Sequence, residues 1–202
     1  MSMRLSDRKE PTVPIQPAFH GLTLRRIFRD DLPILLQWRN EEKFRNECSS
    51  MRELITDQEF QQELERQFAI DRHEQVILIA ANGTAIGTLF SYDYSRSDGH
   101  LFVSAYLDEK VRNRGFGVYA LLVFSRWLFD GLRLFKIYAD VYTTNSRVIA
   151  QLRRAGASEE GRFKGHRKCN GLRVDVIRFA VYQEQLTSAL MRFMSDNRTN
   201  AT

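Results

Sequence analysis

The hydrophobic and polar positions divide the chain into helix-like and strand-like stretches from residue 22 onwards. Residues 22–28 are rich in β-branched and aromatic side chains and predict a first strand. Residues 30–40, with Pro33 in the first turn, predict a helix. A second helix is predicted from Thr56, because Thr56 and Glu59 have the spacing of a capping box. Residues 1–20 contain three prolines and little periodicity, and they predict an N-terminal extension.

From residue 75 the pattern becomes that of strands. Residues 76–80 and 85–90 flank the Asn82-Gly83 pair, which is typical of a tight hairpin turn. The third strand of this meander is predicted at 100–107. Four further elements follow it: a helix at 116–132, a strand at 134–142, a helix at 145–155 that ends at Gly156, and a strand at 172–182. This order predicts a mixed α/β (α+β) fold with helices on both faces of one sheet. We expect a single domain over 21–195 and a C-terminal tail over 196–202.

The composition restricts the setting in which the chain works. Its 202 residues include two cysteines, too few for a disulfide framework or a four-cysteine zinc site. We therefore expect a cytoplasmic protein without a metal. No apolar stretch approaches the roughly 20 residues that cross a bilayer, so no membrane partner is expected. The formal net charge of +5 predicts affinity for an anion.

Most of this positive charge lies in one segment. Residues 145–173 hold eight lysines and arginines against two glutamates. Part of this segment could bind the phosphates of a cofactor. Residues 164–168, predicted as a hairpin turn, could line a binding site for an anionic acceptor. A solvated loop is the alternative interpretation. Since stacking aromatics are not interleaved with these cations, the pattern argues against a nucleic-acid partner.

Residues 111–117, Val-Arg-Asn-Arg-Gly-Phe-Gly, lie between a predicted strand end and a helix start. Such a loop can turn backbone N–H groups and the positive end of a helix dipole toward a phosphate. Gly115 and Gly117 would let the anion approach the backbone. The segment lacks the lysine of a Walker loop and the third glycine of the dinucleotide fingerprint. Glycines that only turn the chain are the alternative.

Because of this glycine-rich segment, the sequence resembles the GNAT superfamily of acetyl-CoA-dependent N-acetyltransferases, and the resemblance extends over residues 22–182. Residues 112–117 are similar to the family's Gln/Arg-x-x-Gly-x-Gly/Ala pyrophosphate loop. Asn145 and Gly156 have the spacing of a second family element, in which Ala157 replaces the usual phenylalanine. Asp175 resembles a position in the branch that includes ribosomal-protein alanine acetyltransferases.

The resemblance implies a twisted, mostly antiparallel sheet that is splayed between the family's fourth and fifth strands. It also implies acetyl-CoA as co-substrate and direct attack of a primary amine on the thioester. The residues that it assigns to the cofactor are Ala105, Tyr106, Leu107, Arg112, Asn113, Arg114, Gly115, Phe116, Gly117 and Asn145.

The catalytic positions depart from the family pattern. Phe102 stands where many members have a glutamate, and His100, two residues earlier, is the candidate general base. A solvated bystander is the alternative role for His100. The tyrosine that protonates the thiolate would fall on Leu152, and its serine alternative on Val148. The sequence therefore assigns no general acid.

The acceptor site is expected at the end of the first helix, where residues 38–40 read Trp-Arg-Asn. A similar triplet occurs in a nucleotide-amino-sugar acetyltransferase. Arg39 would pair with a phosphate and Trp38 would stack on a base or sugar, unless Trp38 is core and Arg39 a surface charge.

The expected function is N-acetylation of a small or nucleotide-linked amine, such as an amino sugar. One alternative is Nα- or lysine acetylation of a protein, and another is a non-catalytic module that binds acyl-CoA. The sequence leaves a homodimer open.

Overall fold

The computed structural model describes residues 13–14, 21–49, 52–70, 74–112, 116–169 and 171–199. The strands in these ranges are β1 (Val13–Pro14), β2 (Thr23–Arg26), β3 (Gln75–Ile79), β4 (Ala85–Ser95), β5 (His100–Leu107), β6 (Lys136–Tyr142), β7 (Ser158–Cys169) and β8 (Leu172–Tyr182). The α-helices are α1 (Leu32–Asn40), α2 (Glu42–Glu47), α3 (Asp57–Ile70), α4 (Phe116–Gly131), α5 (Ser146–Ala155) and α6 (Gln183–Thr199). None of the helices in these ranges has the length and hydropathy to span a bilayer.

The strands form one sheet in the order β1-β2-β3-β4-β5-β6-β8-β7. Its pairs are antiparallel except for β5 and β6, which run parallel. The parallel register extends only from the His100–Lys136 pair to the Phe102–Tyr138 pair. Beyond it, β5 and β6 separate without further pairing among the described residues. This confirms the predicted splayed sheet, with the split between β5 and β6.

Helices cover both faces of the sheet, as predicted. Leu101 and Val103 of β5 and Ile137 of β6 join α4, α5 and α6 in the larger core cluster. On the opposite face, Ile77 of β3 and Tyr106 of β5 pack in a second cluster with side chains from α1, α2 and α3. Side chains alternate between the faces of a strand, so β5 contributes to both cores.

Three short sequence motifs form the local structures that they predicted: a capping box, a hairpin turn and a capped helix. Thr56 N–H donates a 2.8 Å hydrogen bond to Glu59 Oε2, which is one half of the capping box that opens α3. Gly83 has a φ of 81° in the turn between β3 and β4, a conformation that favours glycine. Asn145 caps α5 by accepting a hydrogen bond from Val148 N–H, and Gly156 ends this helix at a φ of 86°.

The structure also contains elements that the sequence reasoning missed, namely α2, β7 and α6. Residues 164–168, predicted as a turn, lie inside β7. This strand is the sheet edge, and its exposed polar side chains hide the alternation of a buried strand. Its register also shifts between Phe163 and Arg167. The helix α6 continues through Thr199 and so crosses the expected domain end at residue 195.

Candidate active site

A cavity of about 190 Å³ opens where β5 and β6 diverge. Val103–Leu107 form one wall, Ala139–Tyr142 the other, and the first turns of α4 and α5 close the end. Helix N-termini carry partial positive charge and free N–H groups, which favour a bound anion. The splay therefore makes a cleft suited to an elongated ligand with an anionic end.

Six of the ten residues predicted to bind the cofactor line this cleft: Ala105, Tyr106, Leu107, Arg112, Gly117 and Asn145. Phe116 begins α4 and packs against the larger core cluster. Asn113, Arg114 and Gly115 lie outside the described residues. The structure thus brings two sequence-distant motifs, the glycine-rich loop and Asn145, to one cavity.

The backbone of β5 turns polar groups toward the cleft. The carbonyl of Ala105 accepts a hydrogen bond from Cys48 Sγ at 3.7 Å, and that of Leu107 accepts one from Arg112 Nε at 2.7 Å. These carbonyls therefore point away from β4. In a strand, the N–H and C=O of one residue point to the same side, so the N–H groups of Ala105 and Leu107 face the split.

Arg112 ties the cofactor loop to the end of β5. Besides its bond to Leu107, its Nη2 donates a 2.7 Å hydrogen bond to the hydroxyl of Tyr106. Tyr106 in turn donates to Glu41 Oε2, and Arg112 lies 3.7 Å from the same carboxylate. Burial and the hydrogen bond to Glu41 raise the pKa of Tyr106. A neutral phenol between a carboxylate and a guanidinium holds the side chain of Arg112 in place.

Gly117, in the first turn of α4, stands against the side chain of Leu107. A Cβ atom at this position would lie 3.3 Å from Leu107 Cδ1. The absence of a side chain therefore lets the helix N-terminus approach the strand end closely.

A second cavity, of about 360 Å³, lies on the face of the sheet that α1, α2 and α3 cover. Both cavities are lined by the same five residues: Glu47, Cys48, Ser104, Asp140 and Tyr142. We call these residues the junction. A group that is transferred between ligands of the two cavities would have to pass the junction.

Arg39 lines the second cavity although its side chain is only 2% exposed. Its Nε lies 3.5 Å from Glu63 Oε2, and none of its nitrogens hydrogen-bonds to a described residue. A buried guanidinium has five N–H donors, and leaving them without acceptors is costly. The arrangement is suited to a ligand that brings oxygen acceptors.

The junction residue Asp140 is held by Arg178 of β8. Arg178 Nε and Nη2 each donate a 2.8 Å hydrogen bond to one carboxylate oxygen of Asp140. The guanidinium lies over the rings of Phe102, Tyr138 and Phe163 at 4.6 to 5.3 Å from their centroids. The hydrogen bonds to Asp140 raise the pKa of Arg178, and this ion pair fixes the position of the Asp140 carboxylate at the junction.

Cys48 places a thiol at the junction. Desolvation raises its pKa to about 12. A thiol with this pKa stays protonated near neutral pH, and thiolates, not thiols, are the effective nucleophiles. The structure therefore gives no support for a covalent intermediate on Cys48.

Two predicted site residues lie away from both cavities. His100 contacts the rings of Phe102 and Tyr138 at the paired end of β5, about 13 Å along the strand from Ser104. Trp38 is 0% exposed and packs 6.2 Å from the ring of Tyr106 in the second core cluster. The geometry therefore places neither side chain against a ligand in the two cavities.

Sequence reasoning assigned a function to none of the five junction residues. Asp140 lies between the buried Ala139 and Val141 along β6, and a charged side chain in such a strand was the available signal. Glu47 and Cys48 follow no motif. They reach the junction because α2 packs across the sheet.

The sheet split between parallel neighbours, with a helix N-terminus at the split, agrees with the architecture that the sequence resemblance to acetyl-CoA-dependent acyltransferases implied. A family model, the acetyltransferase (GNAT) domain, matches residues 21–158. The chain belongs to this family. It is therefore an acetyltransferase with acetyl-CoA as its co-substrate, as the sequence resemblance implied.

Solved structures share the fold. The spermidine N-acetyltransferase from Vibrio cholerae in complex with CoA and spermine aligns with a TM-score of 0.73 at 18% identity, covering 83% of this chain and 98% of that one. A dodecameric structure of the spermidine N-acetyltransferase from the same organism aligns with a TM-score of 0.70 at 20% identity, covering 82% and 95%. No curated protein sequence matches the chain.

Proposed function

We propose that the protein transfers the acetyl group of acetyl-CoA to the primary amine of a small molecule that also carries an anionic or oxygen-rich group. The observation that supports this most directly is the buried Arg39 in a cavity that adjoins the cofactor cleft. An amino sugar bearing a phosphate or a nucleotide is the substrate class that we expect. The volume of about 360 Å³ is typical of a small-molecule pocket.

In this proposal, the pantetheine arm lies along β5 and its thioester reaches the junction. The Ala105 and Leu107 N–H groups, which face the split, are donors for the thioester carbonyl and for the oxyanion that forms on it. Arg112, Gly117, Asn145 and the loop residues at 113–116 hold the cofactor. Most of the rate then comes from holding two substrates in line.

The acceptor enters the second cavity with its amine at the junction. We assign the removal of the ammonium proton to Glu47, whose carboxylate lines both cavities. Asp140, whose carboxylate Arg178 holds in place, is an acceptor for an N–H group of the ammonium. Arg39 holds the anionic group of the acceptor at the other end, while Trp38 supports the helix behind it.

The test is release of coenzyme A from acetyl-CoA with a panel of amines: hexosamine phosphates, UDP-linked amino sugars, unmodified hexosamines, spermidine and N-terminal peptides. We expect the phosphate-bearing amines to give the highest kcat/KM. Arg39→Met should raise KM for these amines and leave KM for the unmodified hexosamine unchanged. An equal change in KM for both kinds of amine would contradict the role of Arg39. If the protein acetylated no amine, the alternative of a module that only binds acyl-CoA would be favoured.

A polyamine is a second candidate acceptor. Four carboxylates, Glu47, Glu63, Asp93 and Asp140, line the second cavity, and the solved structures with this fold include spermidine N-acetyltransferases. A long cation would place its ammonium groups along these side chains. Preference for spermidine over every phosphate-bearing amine would select this candidate.

The remaining expectations stay predictions. They are the cytoplasmic setting, the homodimer, the relation to ribosomal-protein alanine acetyltransferases, protein acetylation as an alternative activity, and the domain limits at residues 20 and 195.

A further inference from the structure

The reaction needs a proton donor that the family positions do not provide. When the tetrahedral intermediate collapses, coenzyme A leaves as a thiolate. Leu152 occupies one position where the resemblance places an acid, and it is 0% exposed with an aliphatic side chain. Val148, at the other position, lines the cofactor cleft and is also aliphatic. An acid, if the chain supplies one, must come from a different element.

Tyr142 is the last residue of β6 and lines both cavities. Its backbone is fixed from two sides: it pairs with Val176 of β8, and its carbonyl accepts a 2.8 Å hydrogen bond from the N–H of Asn145. The side chain is 7% exposed. A phenol is thus held at the junction, beside the cofactor-binding Asn145.

The other junction residues are less suited to donate a proton. Both carboxylate oxygens of Asp140 already accept hydrogen bonds from Arg178, so this side chain is placed as an acceptor and not as a donor. Glu47 is assigned to proton removal from the amine. Cys48 directs its S–H to the Ala105 carbonyl, and burial makes it a weak acid. Ser104 has an aliphatic hydroxyl, which is a weaker acid than a phenol.

From this arrangement, and resting on the proposed function, we infer that Tyr142 is the general acid that protonates the departing thiolate of coenzyme A. The amine attacks the thioester carbon and forms the C–N bond. The C–S bond then breaks, and the Tyr142 hydroxyl gives its proton to sulfur. The phenolate recovers a proton from the nitrogen of the product, so one proton is released overall for each ammonium that is acetylated.

The experiment compares Tyr142→Phe with Tyr138→Phe. Tyr138 lies on the same strand and the same sheet face, but it lines neither cavity and donates its hydroxyl to Glu160 at 3.0 Å. Steady-state kinetics would be measured with the amine that the wild-type protein acetylates fastest. Binding of coenzyme A to both variants would be measured by calorimetry.

We expect Tyr142→Phe to lower kcat by on the order of 10²-fold while KM for the amine and the Kd of coenzyme A stay within twofold of the wild type. Tyr138→Phe should retain wild-type kcat. An unchanged kcat in Tyr142→Phe, or an equal loss in both variants, would overturn the assignment. Acetyl transfer by the wild type tests the proposed function separately, so a wild type that acetylates no amine would refute both.

Discussion

The side chain of Arg112 fixes the end of β5 through a 2.7 Å hydrogen bond from its Nε to the carbonyl oxygen of Leu107. The bond joins the start of the glycine-rich loop to the strand whose backbone faces the cofactor cleft. The same guanidinium also reaches Tyr106 at 2.7 Å. Arg112 and the end of β5 therefore form part of one wall of the cleft.

Replacing Arg112 with methionine should weaken coenzyme A binding by roughly 10- to 100-fold, because hydrogen bonds from a charged group contribute about 1.5–3 kcal/mol. Isothermal titration calorimetry would measure this Kd. Arg112→Lys keeps the charge but loses the planar fork, so it should recover only a small part of the affinity. Full affinity in Arg112→Lys would show that charge alone matters at this position.

Gly87 of β4 faces the end of β5 with no room for a side chain. A Cβ atom here would lie 2.4 Å from the Tyr106 carbonyl oxygen and 2.7 Å from Leu107 Cδ2. We expect Gly87→Ala to lower the free energy of unfolding by about 1–3 kcal/mol, since the strands must shift apart.

Chemical denaturation would measure the effect of Gly87→Ala. Gly131→Ala is the matched control, because a Cβ atom at Gly131 meets nothing within 4 Å. Equal stability of the two variants would contradict the close approach of β4 to β5.

Glu47 and His100 are competing candidates for the general base. Glu47→Gln should lower kcat at neutral pH on the order of 10²-fold, because the amide cannot accept the ammonium proton. Glu42→Gln, an exposed change on the same helix, controls for loss of a negative charge on α2. His100→Ala would be measured in parallel across pH. A loss confined to His100→Ala would return the role of base to His100.

The carboxylate of Asp175 stabilises the bulged part of β7. It accepts a 2.8 Å hydrogen bond from Gly165 N–H and a 2.9 Å hydrogen bond from Arg162 Nε. These bonds lower the pKa of Asp175 below its ordinary value of 3.8, and the bond from the Gly165 N–H has the larger effect. A carboxyl group with a lowered pKa in the folded state stabilises the protein above pH 4 and loses this contribution as the pH falls further.

Asp175→Asn should therefore flatten the decrease of Tm between pH 5 and pH 2.5. Thermal unfolding followed by circular dichroism would measure the slope. Asp30→Asn, which removes one exposed aspartate carboxylate elsewhere, is the control. Identical slopes for Asp175→Asn and the wild type would mean that the carboxylate is not bonded in this way in solution.

The sequence by itself determined the elements with strong local causes. The capping box at Thr56, the Asn82-Gly83 turn and the Asn145 to Gly156 helix depend on neighbouring residues, and such interactions are encoded within a few positions. The glycine-rich loop and Asn145 also gave a prediction of the cofactor side of the site, because a phosphate cradle needs a recognisable run of residues. The strand β7 was missed because it lies at the sheet edge, where its mostly exposed side chains show no alternation of buried and polar positions.

Only the tertiary structure decided which side chains lie together at the junction of the two cavities. Glu47, Ser104, Asp140 and Tyr142 come from three separate elements, and no local pattern links them. Their meeting depends on the split between β5 and β6 and on the packing of α2 across the sheet. The burial of Arg39 is likewise a result of packing, since the sequence fits a surface charge equally well.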